Sequence, residues 1–117
     1  MTTIATALLP DMIGAVSRQR WVGLANGDDG APIDMREFYD RSVQVSGTFG
    51  IGGTCVIEGT LNGTDWVTLT NAIGDSLSFT AGRIEFITEL VWKIRPRVSA
   101  GDGSTAIDVN MFLRRAK

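Results

Sequence analysis

The segment Cys55-Val56-Ile57-Glu58-Gly59-Thr60-Leu61-Asn62-Gly63-Thr64-Asp65-Trp66-Val67-Thr68-Leu69 constrains the fold more than any other part of the chain. Two β-prone runs flank Asn62-Gly63. A two-residue type I′ turn needs positive φ at both central residues, and Asn followed by Gly tolerates that best. The segment is expected to be one antiparallel hairpin with Asn62-Gly63 at its tip. A hairpin here sets the class of everything around it.

The same period continues on both sides. Val43, Val45 and Phe49 alternate with Ser42, Gln44, Ser46 and Thr48, the mark of a half-buried strand. Ser76–Thr80 reads as a short strand. Arg83–Leu90 alternates Ile84 and Phe86 against Arg83 and Glu85, and Trp92–Val98 follows. The last strand, Thr105–Arg114, turns Ile107, Val109, Met111 and Leu113 one way and Asp108, Asn110 and Phe112 the other. Fourteen glycines against three prolines suit many tight turns. The count comes to about seven or eight strands at the roughly 8–12-residue spacing of sandwiches and barrels. No segment carries a strong helical period. The expected fold is all-β: an antiparallel β-sandwich, jelly-roll-like, with an extended N-terminal arm.

The N-terminal third is less regular. Residues Met1–Arg20 show weak periodicity, and Asp11–Val16 fits a helical turn or an extended arm. Arg20–Leu24 fits a short strand, Asn26–Gly30 a loop, and Ile33–Asp40 a short helix or an extended edge. The pattern divides a single domain into an arm and irregular segment at 1–40 and a sandwich core at 41–117. Ile4, Leu8, Leu9, Met12 and Ile13 need a surface to cover, and a small sandwich has limited room for them. They are expected to contact other subunits, with Trp21. Pro10 and Asp11 interrupt the start, which has no basic n-region, so no signal peptide is expected. No apolar run approaches the roughly 20 residues that span a bilayer.

Few residues suit catalysis. The chain has no histidine, which removes the commonest general base and metal ligand. Its lysines are Lys93 and Lys117. Cys55 is the single cysteine, lies in an apolar strand and is expected to be a buried, inert thiol. Gly47-Thr48-Phe49-Gly50-Ile51-Gly52-Gly53 lacks the Lys-Ser/Thr of a phosphate loop. Asp28-Asp29-Gly30 and Asp102-Gly103-Ser104 offer oxygens without EF-hand spacing, so solvated turns are expected. No catalytic residue, metal or cofactor is expected. Net charge is −2, so bulk attraction to nucleic acid is not expected either.

Two surface features remain. Trp66 beside Asp65 and Asn62 fits a sugar platform or packing against its own hairpin, and Trp21 and Trp92 fit the same two roles. Lys93, Arg95 and Arg97 alternate along one strand, with Ile94 and Val98 on the other face. Pro96 removes a ladder donor, which places that strand at a sheet edge or a bulge. The basic ridge is expected to be exposed and to dock on acidic groups of a partner or of another copy. Arg114-Arg115-Ala116-Lys117 adds positive charge without the interleaved aromatics of a nucleic-acid groove.

The run Gly53–Leu69, then Leu77-Ser78-Phe79-Thr80, then Ile94-Arg95-Pro96-Arg97-Val98, a Gly-rich loop and a final strand resembles small structural proteins of tailed bacteriophages, nearest to the capsid decoration, or cement, proteins. The likeness covers about Ser42 to Arg114. This chain has Gly-Thr-Leu-Asn-Gly where many phage forms have Gly-Ser-Asn-Asp-Gly. The hairpin is also similar to those of discoidin-type carbohydrate-binding sandwiches. The resemblance implies a virion protein made in a host cytoplasm and seated on the capsid surface. Its implied partners are the major capsid protein and copies of itself, as a homodimer or homotrimer. It brings no catalytic residues. The second expectation is a carbohydrate-binding module on a virion surface, using Trp66 or Trp21.

Overall fold

The computed structural model describes residues 2–8 and 16–115, the side chains of Ala7 and Leu8 excepted. Among the described residues the regular elements are all strands: β1 (Thr3–Ile4), β2 (Ala7–Leu8), β3 (Val16–Leu24), β4 (Asp29–Gly30), β5 (Ile33–Asp34), β6 (Phe38–Thr48), β7 (Thr54–Thr60), β8 (Val67–Thr68), β9 (Ser78–Phe79), β10 (Arg83–Phe86), β11 (Lys93–Ala100) and β12 (Ala106–Arg115). They form two sheets. The larger runs β1-β4-β11-β7-β8, with β5 also on β11 and β9 also on β7. The smaller runs β10-β6-β12-β3-β2. The ladders are antiparallel apart from β1 on β4.

Alternation along each long strand builds the core between the sheets. Ile107, Val109, Met111 and Leu113 of β12 and Val43 and Val45 of β6 face Cys55 and Ile57 of β7 and Ile94 and Val98 of β11. Trp21, Leu24, Met35, Leu77, Phe79 and Ile87 complete the cluster. The all-β sandwich read from the periodicity is the observed fold. No helix of the described residues is long and apolar enough to cross a membrane.

The structure departs from the expected strand limits in informative ways. β3 begins at Val16, well before Arg20. Ser17 is buried and Gln19 half-buried on its inner side, so polar residues hide the period there. A register shift against β12 falls between the Trp21 and Leu24 pairings. That bulge lets two residues three apart both face the core. Ile33–Asp40 is extended, forming β5 and the start of β6. The division at residue 40 tracks regularity of pattern, while strands of both sheets begin before it.

Residues 2–8 lie on their own sandwich. The Ala31 amide donates to the Ile4 carbonyl at 2.7 Å, and the Thr3 hydroxyl donates to Asp29 Oδ1 at 2.6 Å. β2 pairs with Arg20 and Gln19 of β3. Ile4, expected at a subunit contact, packs against the core of its own chain. The side chain of Leu8, and Leu9, Met12 and Ile13 entirely, lie outside the described residues. Trp21, also expected at an interface or under a sugar, is fully buried. Its Nε1 donates to the Ala31 carbonyl at 3.1 Å, which satisfies the one polar atom of a core indole.

Pro96 does not mark a sheet edge. β11 is interior, with β7 on one side and β5 and β4 on the other. The second partner changes from β5, at Lys93 and Ile94, to β4, at Arg97. Pro96 sits at that break, where the ladder has no partner residue for it on that side. Its ring packs on Gly30 with the Trp21 indole. A Cβ at Gly30 would stand 2.7 Å from Pro96 Cδ and 2.8 Å from Trp21 Cδ1. The contact joins β3 of one sheet to β4 and β11 of the other, and only glycine admits it. Gly30→Ala should therefore cost about 1–3 kcal/mol by overpacking. Urea denaturation measures this, and an unchanged midpoint would contradict the contact.

Candidate interaction surfaces

The outward face of the larger sheet carries the predicted basic ridge. Lys93, Arg95 and Arg97 do share one face, but that face is closed by the chain's own carboxylates. Arg95 Nε donates to Glu58 Oε1 at 3.1 Å and Nη1 to Asp29 Oδ2 at 3.3 Å, while Arg97 Nε donates to Glu58 Oε2 at 3.0 Å. Glu58 pairs with Arg95 across the β7–β11 ladder, so the register itself brings them together. Glu58 is only 5% exposed. The Trp66 ring covers Arg95, its centroid 4.1 Å from the guanidinium carbon. Lys93 Nζ lies 4.4 Å from the Trp92 centroid. The expectation of a free ridge is thus corrected: Arg95 and Arg97 are neutralised internally, and Trp66 and Trp92 are engaged by neighbouring cations.

The hairpin exists as β7 and β8, with Glu58 opposite Thr68 and Gly59 opposite Val67. Its connection is not the two-residue type I′ turn. Gly63 has φ of 82°, but no non-glycine residue of the described chain has positive φ, Asn62 included. The longer loop is organised by the Asn62 side chain. Its Oδ1 accepts from the Thr64 and Asp65 amides, both at 2.8 Å, and its Nδ2 donates to Asp65 Oδ2 at 2.8 Å. The Gly63 amide donates to Thr60 Oγ1 at 3.0 Å. An asparagine used to bind the amides ahead of it makes an Asx turn and need not enter the left-handed region.

The outward face of the smaller sheet is of another kind. The register sets Phe86, Ser42, Phe112 and Arg18 in one row and Ile84, Gln44, Asn110 and Arg20 in the next. Ile84 is 65% exposed, Phe112 52% and Phe86 40%. The aromatics flank a low centre at Ser42. A groove of about 210 Å³ lies over this face, lined by Arg18, Ser42, Gln44, Ile84, Asn110 and Phe112 among others. A second, of about 420 Å³, separates Ile84 and Phe86 from Ala72 and Ile73. Arg114 and Asp40 form an ion pair at the end of the same face. Sequence reasoning placed Phe112, Ile84 and Phe86 on strands but gave none of them a role. The available signal was Phe112 among the polar residues on the outer face of β12, where strict alternation would leave the solvent side polar; β10 alternates strictly and its apolar residues simply face outward.

Other chemistry-bearing residues have structural roles. Burial pushes the Cys55 thiol up to about 12, which leaves it unreactive at neutral pH. The amides of Ile51 and Ser104 and the Ser104 hydroxyl donate to Asp102, holding its carboxyl down at about 2. Asp102 therefore braces the two loops at that end of the sandwich. Asp28 accepts from the Thr2 and Ala25 amides. Among the described residues no three His, Cys, Asp or Glu side chains converge to hold a metal. Arg41, unremarked in the sequence, is buried on the inner side of β6. Desolvation lowers its basicity, and its guanidinium donates to the Phe38 and Thr88 carbonyls.

No family model matches the sequence, and no curated protein matches it. Solved structures match the fold. The SPBc2 prophage-derived protein YomS superposes with a TM-score of 0.64 at 12% identity, covering 87% of this chain and 96% of that one. The Schizosaccharomyces pombe Cnp3 cupin domain gives a TM-score of 0.50 at 8% identity, over 94% of this chain and 59% of that one. At these identities the likeness is one of fold alone, and it is shared with a prophage-derived protein.

The loop geometry makes a direct prediction. Replacing Gly63 with valine forces a β-branched residue to positive φ and sets its Cβ 3.0 Å from Trp92 Cζ3. Gly63→Val should destabilise the domain by about 1–2 kcal/mol. A thermal midpoint equal to the parent's would contradict the turn.

Proposed function

We propose that this chain is a structural virion protein of a tailed phage, seated on the capsid and bridging neighbouring major capsid subunits. The observation that carries the reading is the exposed apolar row on the smaller sheet, Phe86 and Phe112 flanking Ser42, with Ile84 beside it. Exposed apolar surface with polar residues at its rim marks a protein contact. The Ser42–Arg114 resemblance to phage decoration proteins supports the reading, as does a fold held in common with a prophage-derived protein. A capsid clamp acts through burial and geometry, so the proposal assigns the chain no catalytic role. Symmetric repetition on a shell multiplies modest contacts.

The carbohydrate-binding alternative draws less support. A sugar platform needs a free aromatic face. Trp21 is in the core, and Trp66 and Trp92 are half-buried with one ring face of each on a cation, Arg95 and Lys93.

Antibody against the purified chain, applied to phage particles from the strain that encodes it, should label the heads. Phe86→Ser with Phe112→Ser should abolish occupancy while moving the thermal midpoint little, because both residues are exposed. Unlabelled particles, or full occupancy by the double variant, would contradict the proposal.

A further inference from the structure

We propose that β10 is the contact between two copies of this chain, which pair edge to edge, antiparallel, about a two-fold axis at Ile84. Among the described residues β10 ends the smaller sheet and pairs only with β6. The Ile87 amide donates to the Arg41 carbonyl at 2.9 Å, directly opposite in the same register. In an antiparallel ladder such bonded pairs alternate with unbonded ones. Arg83 and Glu85 therefore bond to β6, and Ile84 and Phe86 point their backbone amides and carbonyls outward. This edge borders a groove of about 420 Å³ that it lines together with Ala72 and Ile73, and Asn71 Nδ2 donates across to Glu85 Oε1 at 3.3 Å. Ile73 is 81% exposed beside that groove.

The side chains say what fits there. Edge strands are commonly blunted by lysine, proline or a bulge, among other devices. This one carries Arg83, Ile84, Glu85 and Phe86, alternating and without proline. With the axis at Ile84, each copy's Ile84 amide donates to the other's Ile84 carbonyl, the bonded geometry its outward groups require. Arg83 then lies opposite Glu85 of the partner, and Glu85 opposite the partner's Arg83. The Arg83–Glu85 ion pair within one chain, 2.7 Å, becomes an alternating quartet. A cross-strand like-charge pair would repel, so the sequence is complementary to its own reversal and to few others. Pairing would join the two smaller sheets into one and set two copies of the Phe86–Ser42–Phe112 row on a common face. The inference goes beyond the virion reading and does not rest on it, since it concerns the isolated chain.

Sedimentation equilibrium on the purified protein tests it. The parent should show a monomer–dimer equilibrium. Ile84→Pro removes the outward donor and leaves the β6 ladder intact, so it should sediment as a folded monomer. Arg83→Glu and Glu85→Arg each set like charges opposite at both symmetry-related pairs, and each should weaken the dimer about tenfold or more. Mixed together, these two variants restore opposite charges at every pair and should form a heterodimer. The charge variants keep the test decisive if the proline variant does not fold. A parent that stays monomeric at every concentration, a trimer, or a mixture no tighter than its components would overturn the proposal.

Discussion

Glu58 holds two arginines at once, Arg95 through one oxygen and Arg97 through the other, while Asp29 takes the far side of Arg95. Much follows from this arrangement. It lets β7 be covered on both faces: its inner face by the core and its outer face by guanidinium groups and Trp66. The strand is then an interior strand of the larger sheet with neither face left to solvent. Such clusters add little net stability over an apolar equivalent, because desolvation offsets the attraction. They do fix register, since a one-residue slip of β7 against β11 would turn Glu58 into the core.

The two outward faces therefore differ in what they leave unsatisfied. On the larger sheet, cations meet carboxylates of the same chain and aromatics meet cations. On the smaller sheet, Ile84, Phe86 and Phe112 are exposed, and β10 is an edge strand among the described residues. The sandwich is held together elsewhere, by the core between the sheets and the contact of Trp21 and Pro96 over Gly30. That separation leaves the outward face of the smaller sheet for the proposed contact without weakening the core.

The fold class was legible because the central stretches of β6, β11 and β12 alternate, and burial there follows the alternation, while β7 reads as a β-prone run covered on both faces. The buried free thiol of Cys55 was legible because it is the single cysteine and lies in an apolar strand. β3 was not, because Ser17 and Gln19 sit on its inner side and a bulge then resets the period before Leu24. The Asn62-Gly63 dipeptide marked a turn but not its type, since the Asn62 side chain bound the amides ahead of it. The basic ridge was legible as a row. Its partners were not, because Glu58 and Asp29 are far from Arg95 in sequence and only strand pairing brings them near. The exposed aromatics were visible in the alternation, yet position on a strand does not tell which sheet covers a face.

The central claim is that the smaller sheet, not the basic ridge, meets the partner. Hydrogen exchange compared between the isolated chain and the chain on assembled particles tests it most directly. The account predicts added protection across residues 42–44, 84–86 and 110–112, with 58 and 93–97 unchanged. Protection confined to 58 and 93–97 would contradict it.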